Sequence, residues 1–205
     1  MEEKPSNNEG YSREDWQRHY ETGDLRWDIG EASPPFVRLW DERKLSPGNA
    51  IIPGCGRGHE AVFFAERGFN VTAVDIAPGA AFCLQQTLRD KRLPVSVVLG
   101  DFFELGPAHD GRYDVMFEQT FFCAIAPSRR DRYVETAFRI LKPDGILAAL
   151  FYETGEPGGP PFNTAREDIL CHFPKRFDIE RMEKTPHSVE RRKGKEWLCI
   201  LRRKP

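Results

Sequence analysis

The stretch from Ala50 to Asp75 constrains the fold of this chain more than any other part of the sequence. It reads AIIPGCGRGHEAVFFAERGFNVTAVD. A short apolar strand pattern leads into a turn with three glycines, the next residues have helical spacing up to Gly68, and a second strand pattern ends at Asp75. The sequence therefore predicts a strand-loop-helix-strand unit with an acid at the tip of the second strand.

The loop and the acid together indicate a ligand site. Gly54, Gly56 and Gly58 have no Cβ, so the backbone can turn sharply and approach a ligand closely. A carboxylate such as Asp75 suits a ribose, because both ribose hydroxyls can donate to it. A dinucleotide fingerprint would need a third glycine where His59 stands. A tight turn without a ligand is the simpler interpretation, but the order of strand, loop, helix and acid favours a nucleotide-like ligand without choosing it.

Composition limits the class of protein. The chain has 205 residues, 40% of them hydrophobic, and a formal net charge of −2, which suits one domain and gives no sign of a nucleic-acid partner. No apolar run is long enough to span a membrane, and the polar N-terminus has no signal-peptide core. We expect disorder in residues 1–10 and a single domain over residues 11–205. The five cysteines are scattered and form no C-x-x-C pair. We therefore expect no metal site, and we predict that the cysteines are reduced and the protein cytoplasmic.

The N-terminal segment, residues 11–46, is expected to cap the rest of the domain. Ser12, with Asp15 three residues later, is a plausible helix start, and Gly23 is a plausible stop. Trp16 and Trp27 allow two interpretations of equal weight. They can simply pack the segment onto the domain, or they can roof a pocket over the glycine loop, where an indole face would attract a cation. A further helix is predicted over residues 36–44.

Strands and helices alternate after Asp75. A helix is predicted from Pro78 to about Arg92 and a strand over residues 95–99, followed by Asp101 and Phe102. An acid followed by an aromatic at a strand end can recognise adenine. The same acid can instead cap a helix, and one residue can do both.

The next strand, residues 113–117, ends at Glu118 and is followed by an aromatic loop with Phe121 and Phe122. Ligands of open α/β sheets bind at the carboxyl edge, where this loop should leave the sheet. Cys123 in the same loop suggests a nucleophile, but small apolar cysteines are common in cores and no base stands at a suggestive position.

The C-terminal third continues the alternation. Ser128 with Asp131 predicts a capped helix that runs to Leu141. A K-P-D-G turn and a strand over residues 146–152 follow it. Thr164 with Glu167 predicts the start of another helix. The Gly- and Pro-rich residues 153–163 are either a linker or a lid. An antiparallel pair, residues 177–183 and 196–202, closes the chain, and its tip is expected to be a solvated group of basic residues, namely Arg191, Arg192, Lys193 and Lys195.

These elements predict an α/β fold with a doubly wound, mostly parallel sheet. The motifs RWDIG, IIPGCGRGHE, GDFF, EQTFFCAI, LKPDG and GGPPF together resemble the thiopurine-methyltransferase-like family, and within it the thiol and halide (thiocyanate) methyltransferase branch. The resemblance spans about residues 16–162. It implies the class I fold of S-adenosylmethionine-dependent methyltransferases, with seven strands, one of them antiparallel, and helices on both faces.

The resemblance also implies roles for particular residues. Asp75 would hold the ribose, Asp101 with Phe102 the adenine, and Glu118 the amino group of the methionine part, although the family often has Asp followed by Tyr where Glu118-Gln119 stands. Tyr152 would be the catalytic residue that positions the nucleophile. The implied cofactor site comprises Trp16, Trp27, Gly54, Gly56, Gly58, Asp75, Ile76, Asp101, Phe102 and Glu118. The implied substrate pocket comprises Phe121, Phe122, Tyr152 and Phe162.

The predicted function is transfer of a methyl group from S-adenosylmethionine to a small soft nucleophile, which is a thiol, bisulfide, thiocyanate or a halide. Such a nucleophile needs alignment and desolvation more than a strong base. The alternatives are a methyltransferase for a larger aromatic thiol or thiopurine, and a protein that binds S-adenosylmethionine without catalysis. We expect S-adenosylhomocysteine as the other product, and a monomer without nucleic-acid or membrane partners.

Overall fold

The structure is a computed structural model that describes residues 9–205. The expected disorder of residues 1–10 falls mostly on residues 1–8, which lie outside the described part. The centre of the fold is one seven-stranded sheet in the order β3-β2-β1-β4-β5-β7-β6. The strands are β1 (Asn49–Pro53), β2 (Asn70–Asp75), β3 (Ser96–Leu99), β4 (Tyr113–Gln119), β5 (Leu141–Tyr152), β6 (Phe177–Lys184) and β7 (Glu196–Arg203).

Strand directions confirm the predicted topology. β3, β2, β1, β4 and β5 pair in parallel, and β7 is antiparallel to both β5 and β6. One strand of the seven therefore runs against the others. The predicted K-P-D-G turn lies inside β5 as an irregularity: Tyr113 pairs with Leu141, yet Val115 pairs with Ile146, so the extra residues bulge out of the ladder.

Helices cover both faces of the sheet. They are α1 (Arg13–Thr22), α2 (Pro34–Asp41), α3 (His59–Ala65), α4 (Pro78–Lys91), α5 (Arg130–Ile140) and α6 (Arg166–His172). Side chains alternate along a strand, so neighbouring residues enter different cores. Ile51 belongs to one buried cluster and Ile52 to the other, as do Met116 and Phe117. On the second face Phe64 stacks on Phe117 with ring centroids 3.7 Å apart.

Two predicted helix starts are wrong. A 3-10 turn, Pro127–Arg129, precedes α5, and α5 has no side-chain cap, so Ser128 does not form the expected capping box. α6 begins after Ala165, whose amide donates to Asp168 at 2.7 Å. The hydroxyl of Thr164 instead accepts a hydrogen bond from Arg130 at 3.3 Å. The start of α1 is confirmed, because Ser12 and Asp15 form a reciprocal capping box.

The sheet order places a topological switch point between β1 and β4, where ligands of open α/β sheets bind. The loops after β1, β2, β4 and β5 all leave the sheet at the same carboxyl edge, because these strands are parallel. Within residues 9–205 no helix combines the length and the apolar character that crossing a bilayer requires.

Candidate active site

A cavity of about 560 Å³ lies at this carboxyl edge. That volume is within the range of roughly 300–1,000 Å³ typical of small-molecule sites. Its walls come from α1 and the segment after it, the glycine loop, the ends of β2 and β5, and the loops that follow β3 and β4. Ten of the site residues implied by the sequence line it: Trp16, Trp27, Gly54, Gly56, Asp75, Ile76, Asp101, Phe102, Phe121 and Tyr152.

The glycine loop is shaped by its lack of side chains. Gly54 and Gly56 have φ of +58° and +56°, a region that other residues rarely adopt. A Cβ on Gly54 would lie 2.6 Å from Cδ2 of Phe121, so the loop after β4 packs directly on this backbone. The structure assigns Gly58 differently from the sequence. Gly58 does not line the cavity, and a Cβ there would lie 2.2 Å from Cδ1 of Leu84 in α4.

Asp75 joins the glycine loop to the end of β2. Its Oδ2 accepts from the amide of Gly56 at 2.9 Å, and its Oδ1 accepts from the amide of Ala77 at 2.9 Å. Burial raises the pKa of this carboxyl, and the backbone hydrogen bonds oppose that effect. A carboxylate has about four acceptor positions, so Asp75 can still accept from a ligand in the cavity, which Asp75 and Ile76 both line.

Asp101 has the capping role that its position allows, while its contact with adenine stays a prediction. Its Oδ1 accepts from the amide of Phe103 at 2.9 Å and so caps the 3-10 turn Phe102–Glu104. Its Oδ2 accepts from Arg129 at 3.0 Å, and the Arg129 guanidinium lies 4.0 Å from the centroid of the Phe103 ring. Asp101, Phe102 and Arg129 all line the cavity. Sequence reasoning missed Arg129, because its carboxylate partner is 28 residues away in the chain.

The two N-terminal tryptophans lie together on the cavity wall. The rings of Trp16 and Trp27 meet edge to face, with centroids 5.3 Å apart. α1 is fixed to the domain at the start of α4, where the amide of Gly79 donates to Gln17 Oε1 at 2.7 Å. A Cβ on Gly79 would lie 2.5 Å from the Cβ of Tyr20. The tryptophans therefore both pack the segment and face the cavity.

Glu118 is buried and does not line the cavity, so its expected contact with an amino group stays a prediction. The side chain is 1% exposed. Its Oε1 accepts from the amides of Phe121 and Phe122 at 3.0 and 2.9 Å, and its Oε2 accepts from the hydroxyl of Tyr133 at 3.1 Å. Burial raises the pKa of this carboxyl to about 7. Glu118 thus anchors the loop that carries Phe121.

Two expected pocket residues are core residues instead. Phe122 is fully buried, and its ring packs on Tyr133 and Phe151 with centroids 5.0 and 5.1 Å apart. Phe162 is 3% exposed, and its amide donates to the carbonyl oxygen of Cys123 at 2.6 Å. Neither side chain lines the cavity.

Cys123 does line the cavity, but its chemistry does not suit a nucleophile. Burial raises the pKa of the thiol to about 12, and the Sγ lies 3.5 Å from the carbonyl oxygen of Thr120. The thiolate, which is the reactive form of cysteine, is therefore strongly disfavoured.

The connection between β6 and β7 is only partly the solvated tip that the sequence predicts, because Arg191, Lys193 and Lys195 are exposed but Arg192 is buried. Arg192 is 5% exposed, donates to the carbonyl oxygen of Trp27 at 2.6 Å and pairs with the buried Glu196 at 3.2 Å. Arg191 donates to the carbonyl oxygen of Asp28 at 2.8 Å. Both arginines line the cavity, so this connection folds over it and holds the N-terminal segment in place.

Tyr152 ends β5 on the wall beside Arg192. The guanidinium carbon of Arg192 lies 5.9 Å from the centroid of the Tyr152 ring. The Gly- and Pro-rich segment after β5 also borders the cavity, through Pro160 and Pro161. This part of the wall combines a phenol, a buried cation and apolar rings.

The fold, a seven-stranded sheet with one antiparallel strand, is that of the class I S-adenosylmethionine-dependent methyltransferases. The chain resembles the 1,6-didemethyltoxoflavin-N1-methyltransferase of Burkholderia thailandensis, solved with S-adenosylhomocysteine, with a TM-score of 0.73 and 20% identity over 94% of this chain and 87% of that one. It also resembles a TehB-like S-adenosylmethionine-dependent methyltransferase from Corynebacterium glutamicum, with a TM-score of 0.71 and 17% identity over 91% and 99% of the two chains.

Sequence comparison narrows the class to one family. The profile of the thiopurine S-methyltransferase family matches residues 11–202. Thiocyanate methyltransferase 1 of Brassica oleracea is 36% identical over 89% of this chain and 82% of its own length. The thiopurine S-methyltransferase of Nitrosospira multiformis is 25% identical over 84% of this chain and 86% of its own length. The chain belongs to the thiopurine S-methyltransferase family and is an S-adenosylmethionine-dependent S-methyltransferase.

Proposed function

We propose that this enzyme methylates a small soft nucleophile, which is a thiol, bisulfide, thiocyanate or a halide, by in-line displacement. The observation that carries the proposal is the position of Tyr152 on a cavity wall that also carries the rings of Trp16, Trp27 and Phe121. A phenol can donate one hydrogen bond to an anion, and the neighbouring rings can keep water away from it. The names of the plant relatives support the same class of acceptor.

The cavity residues fit S-adenosylmethionine. The ribose would bind Asp75, whose carboxylate suits hydroxyl donors. The adenine would lie against Asp101, Ile76 and Phe102, while the methionine part would pass over Gly54 and Gly56; a Cβ on Gly54 would crowd Phe121. When bound, the cofactor supplies an electrophilic methyl group on a sulfonium sulfur. Trp16 and Trp27 would face this cation with their rings.

The chain's own residues align the nucleophile and exclude water. Tyr152 would donate a hydrogen bond to the anion. Arg192 would hold Trp27 in place on the cavity wall through the 2.6 Å hydrogen bond to the Trp27 carbonyl oxygen. Phe121 would form part of the dry wall. Alignment of the reacting atoms and partial desolvation are the effects that speed such a displacement.

Headspace gas chromatography tests the proposal. The enzyme is incubated with S-adenosylmethionine and, separately, bisulfide, thiocyanate, iodide and an aromatic thiol whose methyl product is followed by liquid chromatography. We expect methyl products from the small nucleophiles at rates well above a no-enzyme control. A product from the aromatic thiol alone would contradict the proposal and identify a larger acceptor.

The variant Tyr152→Phe tests the role of the hydroxyl in the same assay. We expect kcat/KM for the small anions to fall about tenfold or more, because a hydrogen bond to a charged group is worth roughly 1.5–3 kcal/mol. Binding of S-adenosylhomocysteine, measured by calorimetry, should be preserved. Unchanged turnover of every nucleophile would remove Tyr152 from the mechanism.

A further inference from the structure

Among the histidines of residues 9–205, only His19 lines the cavity. It lies in α1, one turn after Trp16, and its ring centroid is 5.2 Å from that of Trp27 and 5.9 Å from that of Trp16. The imidazole is thus part of the aromatic wall where the sulfonium and the nucleophile are proposed to meet. Neither the fold nor the proposed displacement of an anion gives it a task.

The hydrogen bond of His19 fixes which ring nitrogen carries the proton. Its Nδ1 lies 3.0 Å from the carbonyl oxygen of Asp24. A carbonyl oxygen can only accept, so Nδ1 is the donor, and in the neutral ring Nε2 keeps its lone pair. Within residues 9–205, Nε2 makes no hydrogen bond to another residue. An acceptor nitrogen is therefore available on the cavity wall.

Charged groups and aromatic rings surround the imidazole of His19. The carboxylate of Asp24 lies 3.7 Å from Nδ1, although it also pairs with Arg26 at 2.8 Å. Asp15, which accepts from Ser12 and lies near Arg18, interacts electrostatically with His19 on the same helix. The other rings packed on it are those of Tyr11, Trp16 and Trp27, which carry no charge at neutral pH.

We propose that His19 is the general base that allows the enzyme to use neutral thiols as well as preformed anions. The inference rests on the proposed function. The S–H bond of the thiol breaks as Nε2 takes the proton, and a sulfur electron pair forms the new bond to the methyl carbon. The old carbon–sulfur bond breaks, and its electron pair stays on the departing sulfur. The imidazolium then returns the proton to water, so charge and atoms balance.

The variant His19→Gln separates this role from a structural one, because only some nucleophiles have a proton to lose. An aliphatic thiol needs deprotonation at neutral pH, whereas iodide and thiocyanate do not. We expect the ratio of the thiol rate to the iodide rate to fall about 100-fold or more, the scale of general-base catalysis. This deficit should shrink as pH rises towards the pKa of the free thiol, about 8.5 for an ordinary one.

His172→Gln is the matched control. The Nδ1 of His172 lies 2.7 Å from Asp131, so it is also a histidine beside a carboxylate, but it does not line the cavity. We expect the same ratio of thiol to iodide rates in this variant as in the unmodified enzyme. An equal fall of thiol and iodide rates in His19→Gln would overturn the proposal, and so would an unchanged thiol rate.

Nitrogen-15 NMR of the unmodified protein gives a readout that does not depend on turnover. We expect His19 to carry its proton on Nδ1 in the resting protein, and we expect the Nε2 resonance to shift when the thiol binds together with S-adenosylhomocysteine, because Nε2 would then accept from the S–H group. A proton found on Nε2, or an Nε2 resonance that is unchanged by the thiol, would refute the role of His19. Lack of turnover with every small nucleophile, namely the aliphatic thiol, bisulfide, thiocyanate and iodide, would instead refute the proposed function, so the two failures are distinguishable.

Discussion

Replacing Glu118 with glutamine should remove a pH-dependent loss of stability. Glu118 is 1% exposed, and burial raises the pKa of its carboxyl from an ordinary value of 4.5 to about 7. Between these values the folded protein holds a proton that the unfolded chain has released. The free energy of unfolding therefore falls as pH rises through this window, and it levels off above about 7.

The size of the effect follows from the shift in pKa. Each unit corresponds to about 1.4 kcal/mol, so the folded state should lose on the order of 3 kcal/mol across the window because of this group. Glutamine can still accept from the amides of Phe121 and Phe122 through Oε1, and its amide nitrogen can donate to the hydroxyl of Tyr133. The geometry of the loop should therefore survive while the titration disappears.

Urea unfolding followed by tryptophan fluorescence, at several pH values from about 4 to 8, measures this difference. We expect the unfolding free energy of Glu118→Gln to fall less with rising pH than that of the unmodified enzyme. Glu104→Gln is the control, since the carboxylate of Glu104 pairs with Arg132 at the surface and 67% of the Glu104 side chain is accessible. Parallel pH profiles for Glu118→Gln and the unmodified enzyme would refute the reasoning.

Three further predictions follow from particular contacts. Gly58→Ala should lower the free energy of unfolding by about 1–3 kcal/mol, because the φ of Gly58 is +81° and the new Cβ meets Leu84. Gly106→Ala is the control: a Cβ there meets nothing within 4 Å, so its free energy of unfolding should fall less in the same urea assay. Iodoacetamide should modify exposed Cys171 before buried Cys123 and Cys199, whose thiol pKa values burial raises to about 12; mass spectrometry showing Cys123 modified first would contradict this. Arg192→Met should destabilise the fold by about 3–5 kcal/mol, since it leaves Glu196 buried without its partner. The same variant should speed amide hydrogen exchange over residues 24–30, and unchanged exchange there would refute the contact between Arg192 and the Trp27 carbonyl oxygen.

The parts of the fold that local chemistry determines were predictable from sequence. The strand-loop-helix-strand unit over residues 50–75 follows from apolar spacing, glycine positions and one acid, and the structure has β1, α3 and β2 there. The capping box at Ser12 is predictable for the same reason, because its partner Asp15 is three residues away. Ser128 fails as a cap because Pro127 begins a 3-10 turn at that position.

The parts of the site that long-range contacts determine were not predictable. Arg192 looks like a surface residue in sequence, yet its partner Trp27 is 165 residues away, and Glu196 neutralises it only once β7 is in place. Phe121 and Phe122 are neighbours of the same type, and the turn at Thr120, with φ of +60°, sends one to the cavity and the other to the core. Nothing in the residue types distinguishes these outcomes.

A crystal structure of the enzyme with S-adenosylhomocysteine and iodide would locate both reactants in the cavity. Iodide is both a proposed nucleophile and a strong anomalous scatterer, so its position can be measured independently of any assumption about the substrate. We expect S-adenosylhomocysteine in the cavity with its ribose on Asp75, and an iodide peak beside the hydroxyl of Tyr152 and in line with the sulfur. Iodide bound only outside the cavity, or a cofactor bound away from Asp75, would contradict the proposed site.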